Sequence, residues 1–105
     1  MSTLTGKQRT HLRGLAHGLK PLVLIGVKGL TPEQVKVLDE TLLDHELIKV
    51  KFLEHKEEKK ELAAEMAAAT GAELAGMIGN IAILYRPHPD PAKRRISLKS
   101  GDTEA

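Results

Sequence analysis

The stretch "PLVLIGVKGLTPEQV", residues 21–35, joins a predicted strand to a predicted helix through a loop that holds two glycines. Its first six residues form a short apolar run rich in branched side chains, which predicts a buried strand lying parallel to its neighbour. Three signals then predict a helix start: Thr31 as N-cap, Pro32 in the first helical position, and Gln34 closing a capping box. The stretch therefore predicts an α/β fold.

A first helix is predicted upstream of this stretch. Thr5 and Gln8 form another capping-box pattern, and Gly18 and Pro21 end the helix. Apolar side chains recur at positions i, i+3, i+4 and i+7, and they predict one stripe toward the core: Leu12, Leu15, Ala16 and Leu19.

The downstream sequence continues the alternation of helices and strands. The second helix reaches about His45, and "ELIKVKFLEH" (46–55) alternates as a half-buried strand does. "KEEKKELAAEMAAAT" (56–70) predicts a third helix that buries Leu62, Met66 and Ala69 and stops at Gly71. "AELAGMIGNIAILYRP" (72–87) predicts two strands around a tight turn. The order helix-strand-helix-strand-helix-strand-strand predicts a two-layer α/β fold with a mixed four-stranded sheet.

Length and composition set the broad class. At 105 residues, the chain predicts one domain over residues 1–98 and a disordered tail over 99–105. It contains no cysteine, which excludes disulfides and thiolate chemistry. No apolar run approaches the ~20 residues of a transmembrane helix, and the first residues lack the apolar core of a signal peptide. We therefore expect a cytoplasmic monomer without a membrane partner.

Charge is unevenly distributed along the chain. Residues 1–32 carry five cations and no acid, whereas residues 33–85 carry six cations and eleven acids. Such asymmetry indicates a polyanionic partner, although charged runs also serve solubility. The aromatic residues are only Phe52 and Tyr85. A nucleic-acid partner would therefore be gripped by its phosphates and shape more than by its bases.

The glycine loop Gly26-Val27-Lys28-Gly29 has three possible explanations: a plain turn, a nucleotide-phosphate site, or a clamp for a nucleic-acid backbone. It lies where a strand ends and a helix begins, a position that offers N–H groups to an anion. A P-loop needs four residues between its glycines, and this loop has two. The spacing of the glycines alone does not distinguish a plain turn from a nucleic-acid clamp. The absence of acidic residues from residues 1–32 favours the clamp.

Four segments together resemble the YhbY-type CRM domain, the chloroplast RNA splicing and ribosome maturation domain. They are "KQRTHLRGLAHGLKPLVLIGVKGLT", "HELIKVKF", "GNIAILYRP" and "RISL", and the resemblance runs from about Leu4 to Leu98. It implies an RNA-binding protein that associates with precursors of the large ribosomal subunit. It also implies a fold similar to the C-terminal domain of the third bacterial initiation factor with an added N-terminal helix, in strand order 1-2-4-3.

The resemblance also implies which residues touch RNA. The GxxG loop of the family falls on Gly26, Val27, Lys28 and Gly29, and its basic first helix on Lys7, Arg9, Arg13 and Lys20. Apart from the resemblance, Lys49 and Lys51 project from the sheet face opposite the core residues, where they form either a solvated face, which is favoured, or a second RNA contact. Thr31 and Arg86 are further possible secondary contacts. The proline-rich tail departs from the pattern, so RNA contact by residues 93–95 stays open, although "RISL" can pack on the domain.

Other function classes receive less support. The five histidines show no zinc spacing, and no carboxylates and histidine converge at a catalytic spacing, so we expect no metal, no cofactor, no small-molecule substrate and no enzyme. The first alternative is a protein-interaction module whose basic face docks an acidic partner. The second is a small enzyme or sensor for a phosphate metabolite.

Overall fold

The computed structural model describes residues 4–98, so the predicted disordered tail at 99–105 lies outside the described residues. The predicted element order is confirmed. The elements are α1 (Gly6–Ala16), β1 (Val23–Ile25), α2 (Pro32–His45), β2 (Leu47–Phe52), α3 (Lys59–Thr70), β3 (Glu73–Ile78) and β4 (Ile81–Tyr85). Short 3-10 turns cover Lys56–Glu58 and Pro91–Lys93. Within residues 4–98, no helix is long and apolar enough to cross a membrane.

The four strands form one mixed sheet in the order β1-β2-β4-β3, which confirms the order that the resemblance implied. β1 runs parallel to β2, with Val23 opposite Val50, and the other two pairings are antiparallel. β3 and β4 form the predicted hairpin, in which Gly79 takes a φ of 58° that glycine adopts without steric cost. The edge strand β1 therefore has a neighbour on one side only.

Helices cover both faces of this sheet. α2 and α3 pack on one face around a core that includes Leu38, Met66 and Phe52. α1 packs on the other face over β2, β3 and β4, around Leu12 and Ile83. The predicted two-layer arrangement describes the sheet with α2 and α3, and α1 adds a third layer. We call the two sides of the sheet the α1 face and the α2/α3 face.

Both predicted N-caps form, but only the first of the two predicted capping boxes is complete. The first capping box is complete, since the Gln8 N–H donates to Thr5 Oγ1 at 3.0 Å and the Thr5 N–H donates to Gln8 Oε1 at 2.9 Å. Thr31 Oγ1 likewise accepts from the Gln34 N–H at 3.1 Å. The Gln34 side chain, however, donates to Leu24 O at 3.1 Å, so the second box is only half formed. This contact ties α2 to the end of β1.

The burial predictions were wrong at five positions. Leu15 and Leu19 are exposed because α1 contacts the sheet mainly through Leu12 and Ala16. Leu22 and Leu24 are exposed because β1 is an edge strand that α1 does not cover.

In α3 the inward stripe runs through Ala63, Met66 and Thr70, while Leu62 is half-buried and Ala69 is exposed. Thr70 tolerates burial because its hydroxyl donates to Met66 O at 2.7 Å.

Residues 87–98 continue from β4 across the end of α2. Ile96 and Leu98 pack against the core of the α1 face, and His11 Nε2 lies 3.2 Å from Ser97 O. This end of the described chain therefore lies against the same face as α1.

Candidate nucleic-acid interface

The GxxG loop, residues 26–29, forms a tight turn between β1 and α2. The Gly29 N–H donates to Gly26 O at 3.0 Å, which closes the turn, and Gly29 takes a φ of 67°. Residues with a Cβ rarely adopt this left-handed conformation, which explains the second glycine. Val27 and Lys28 lie at the tip, with 78% of Val27 exposed. The loop is thus both a turn and an exposed projection.

The turn decides which backbone N–H groups a ligand can reach. The N–H groups of Val27 and Lys28 donate to nothing within residues 4–98, whereas that of Gly29 is used inside the turn. At the start of α2, Pro32 has no N–H and Thr31 Oγ1 already accepts from Gln34. Glu33 also places a carboxylate in this first turn. The loop therefore offers an anion better donors than the helix end does.

His55 contacts the loop from the segment between β2 and α3. Its Nε2 lies 2.7 Å from Val27 O, and a Cβ added to Gly29 would lie 3.6 Å from the same nitrogen. Because a carbonyl oxygen only accepts, Nε2 carries the hydrogen in this contact. The sequence offered no signal for this pairing, since 28 residues separate the two partners.

The cations assigned to the first helix and its end fall into two groups. Lys7 and Lys20 are exposed and make no hydrogen bond or ion pair with another residue of the described chain. Arg9 Nη1 donates to Leu4 O at 3.1 Å, and Arg13 Nη1 donates to Ala75 O at 3.2 Å. Arg13 lies across β3 where Gly76 leaves room, because a Cβ there would come within 2.6 Å of Arg13 Cδ. Lys7 and Lys20 are therefore the cations most open to a partner.

The four possible secondary contacts also divide into side chains that have a partner within the described chain and one that has none. Thr31 caps α2, and Lys49 Nζ donates to the carbonyls of His17 (3.4 Å) and Leu19 (3.0 Å) at the end of α1. Arg86 pairs with Asp39, and its Nη1 and Nη2 donate to Thr70 O at 2.7 Å and Asp39 O at 2.9 Å. Among these four, Lys51 is the exposed side chain to which the structure of residues 4–98 gives no partner.

Arg86 has a structural role that sequence reasoning missed. Its guanidinium joins α2, the end of α3 and the end of β4, and only 19% of the side chain is exposed. A planar fork of five donors suits such a three-way junction. The sequence showed an arginine after a strand but not the three acceptor oxygens, on Asp39 and Thr70, that the fold brings to it.

Opposite charges lie on the two faces of the sheet. α1 contains three cations and no acid, Lys20 follows it, and Lys51 lies on the same side of β2. α2, on the other face, contains four acids and one lysine. The α1 face is therefore the cationic side, and a polyanion would be repelled from α2.

A family model matches most of the chain. The family model described as "CRS1 / YhbY (CRM) domain" matches residues 4–86, a range that contains the GxxG loop and all four strands.

Three curated relatives carry names that refer to RNA. A "Probable RNA-binding protein" of Pseudomonas aeruginosa is 36% identical over 91 residues, which covers 86% of this chain and 88% of the relative. An "RNA-binding protein" of Haemophilus influenzae is 42% identical over 88 residues, covering 83% and 89%. The "Probable RNA-binding protein YqeI" of Bacillus subtilis is 37% identical over 84 residues, covering 79% and 88%.

One solved structure is similar to this chain in both fold and sequence. It is the solution structure of a hypothetical Staphylococcus aureus protein proposed to bind RNA, and it matches with a TM-score of 0.76 at 38% identity. The match covers 90% of this chain and 100% of that one.

Proposed function

The chain belongs to the CRS1 / YhbY (CRM) domain family, and from this premise we propose that it binds RNA and assists assembly of the large ribosomal subunit. One observation carries the proposal: the exposed turn at residues 26–29 lies beside a cationic, acid-poor face, and its Val27 and Lys28 N–H groups donate to nothing within residues 4–98. The names of the relatives support RNA as the polyanion. The role in ribosome assembly rests on what the family resemblance implies.

The grip on RNA follows from the geometry of the loop. The N–H groups of Val27 and Lys28 donate to phosphate oxygens, and the two glycines allow the backbone to approach without a Cβ in between. Lys28 Nζ neutralises the phosphate charge. Lys7, Lys20 and Lys51 extend the attraction over the α1 face.

Salt dependence of RNA binding tests this grip. Each phosphate neutralised should contribute a slope of roughly 0.7 to 0.9 in a plot of log affinity against log salt concentration. Lys28→Ala should weaken binding and lower the slope by about that amount. Lys60→Ala is the matched control, because Lys60 is an exposed lysine on α3, on the opposite face. Equal slopes for the two variants would contradict the role of Lys28.

Sedimentation of cell lysate tests the cellular role. We expect the protein to migrate with large-subunit precursor particles and to lose that migration after RNase treatment. Migration that RNase does not change would instead favour a protein-interaction module with an acidic partner. A shift in melting temperature with small nucleotides, which we do not expect, would favour a phosphate-metabolite sensor.

A further inference from the structure

The uncovered side of β1 exposes two leucines where a buried strand was predicted. Val23 and Ile25 point into the core of the α2/α3 face and are 2% and 1% exposed. Leu22 and Leu24, which alternate with them, are 52% and 51% exposed. Because side chains alternate along a strand, Leu22 and Leu24 lie on the α1 face.

Leu19 adjoins this pair through Lys49. Lys49 Nζ donates to Leu19 O at 3.0 Å, and the Leu22 N–H donates to Lys49 O at 3.1 Å. Leu19 is 41% exposed. We call Leu19, Leu22 and Leu24 the leucine strip. Leu22 and Leu24 lie on the same face of the edge strand, and the backbone of Leu19 is held next to them by Lys49. Exposed apolar side chains grouped in this way are typical of binding sites.

Cations border the leucine strip. Lys51 is the register partner of Leu24 on the neighbouring strand, Lys20 follows Leu19, and Lys28 lies beyond the end of β1. Neither residues 4–32 nor β2 contain an acid. A partner that fits this surface combines apolar faces with negative charge.

Single-stranded RNA has this combination, since its unpaired bases are apolar faces joined by phosphates. A duplex turns its base faces inward and presents only phosphates and groove edges. The strip also adjoins the GxxG loop along the chain, because Leu24 lies two residues before Gly26. Bases have no exposed aromatic ring to stack on among the described residues, since Phe52 and Tyr85 are 0% and 3% exposed.

We propose that the leucine strip binds the unpaired bases of a single-stranded RNA segment whose phosphate is held by the GxxG loop. This inference rests on the proposed RNA-binding function and adds the class of RNA. The scarcity of aromatic residues had argued against contacts to bases. In this proposal, aliphatic side chains make those contacts instead.

Fluorescence anisotropy with three labelled probes tests the proposal. The probes are a short single-stranded oligoribonucleotide of mixed sequence, the duplex of that sequence, and an abasic version with the same phosphates. We expect the wild-type protein to prefer the single strand to both other probes. Burying the exposed half of a leucine is worth about 1 kcal/mol, so Leu24→Asn should lose roughly 3- to 10-fold in affinity for the single strand, with an unchanged salt slope. Its affinity for the abasic probe should stay at the wild-type level.

Val37→Asn is the matched control, because Val37 is an apolar residue of α2 that is 44% exposed, on the opposite face. Leu22→Asn is a second test variant, and circular dichroism checks that each variant folds. Wild-type protein that binds duplex and single strand equally, with Leu24→Asn at wild-type affinity, would overturn this inference and leave RNA binding intact. Wild-type protein that binds none of the probes would overturn the proposed function itself.

The leucine strip could instead bind a second copy of the chain. Sedimentation velocity over a range of protein concentrations tests this alternative. Dimerisation that Leu24→Asn abolishes would assign the leucine strip to self-association and overturn the inference. A monomer at all concentrations supports the assignment to RNA.

Discussion

The side chain of Glu46 holds the backbone of Arg95, which lies 49 residues further along the chain: Glu46 Oε1 accepts from the Arg95 N–H at 2.6 Å. Oε1 also accepts from the Ile96 N–H at 3.3 Å, and Oε2 accepts from the His88 N–H at 2.9 Å. Glu46 is 2% exposed, so its charge is kept out of water and is compensated by these three donors. One carboxylate at the end of α2 thus fixes the segment that carries the cationic run at residues 93–95.

Glu46→Gln should destabilise the protein and loosen this segment. The amide keeps one oxygen but replaces the other with an NH₂ donor, which then faces a backbone N–H. Leaving such buried donors unsatisfied costs about 1–3 kcal/mol. Urea denaturation measures the loss, and hydrogen exchange at Arg95 and His88 reports the loosening. Glu40→Gln, an exposed site on α2, should change stability by less than about 0.5 kcal/mol. Equal stability of the two variants would refute the anchoring role.

Tyr85 should titrate above the usual range of a phenol. Burial raises the pKa of Tyr85, the charge of Glu46 raises it further, and Arg94 opposes the shift. The folded state therefore holds the phenolic proton more tightly than the unfolded state, whose pKa is about 10. This contribution to stability is complete below pH ~10 and is lost as the pH rises through the folded pKa.

The chain has one tyrosine, so phenolate absorbance follows this group directly. Tyr85→Phe should remove this part of the stability loss at alkaline pH, and Glu46→Gln should move the pKa of Tyr85 back toward its usual value. A folded Tyr85 that titrates at the pKa of the unfolded chain would contradict the prediction.

The sequence predicted the features that are encoded within a few residues. Thr5 and Gln8 lie three positions apart, so their capping box is visible without a fold. The same holds for Thr31 at the start of α2, and for Gly71, which ends α3 with a φ of 71°. The family resemblance supplied the strand order, which such local signals do not contain.

Features that depend on distant partners could not be predicted in this way. Gln34 bonds Leu24, although its spacing from Thr31 suggested a complete capping box. Leu24 is exposed although its neighbours form an apolar run, because burial depends on which strand lies at the edge. His55 and Val27 meet only after β2 has paired with β1. No periodicity or motif within a short window records these contacts.

Gly29 gives a test that separates backbone strain from charge. At a φ of 67°, Asn and Asp are among the residues that tolerate the conformation best, and the nearest atoms to an added Cβ are 3.6 Å away in His55. Gly29→Asn and Gly29→Asp should therefore lose similar stability, about 1 kcal/mol. Only Gly29→Asp places a carboxylate where RNA phosphate is proposed to bind. Its RNA affinity should fall at least about tenfold below that of Gly29→Asn, and equal affinities would place the phosphate elsewhere.

His55 should hold the GxxG loop in its binding shape without contacting phosphate. His55→Ala removes the hydrogen bond to Val27 O and should cost about 0.5–1.5 kcal/mol of stability. RNA affinity should fall a few-fold, because the loop then loses preorganisation, and the salt slope should stay unchanged. His55→Gln retains a donor of similar reach and should lie close to the wild type in both measurements. The wild-type backbone has a φ of 57° at this position, and because Ala and Gln are both unbranched at Cβ we expect similar conformational strain in the two variants.

Two results would contradict this role of His55. If His55→Ala lowers the salt slope by roughly 0.7 to 0.9, the imidazole itself neutralises a phosphate, and the residue belongs to the RNA contact surface. If His55→Ala matches the wild type in both stability and affinity, the turn at residues 26–29 keeps its shape through the Gly29–Gly26 hydrogen bond alone.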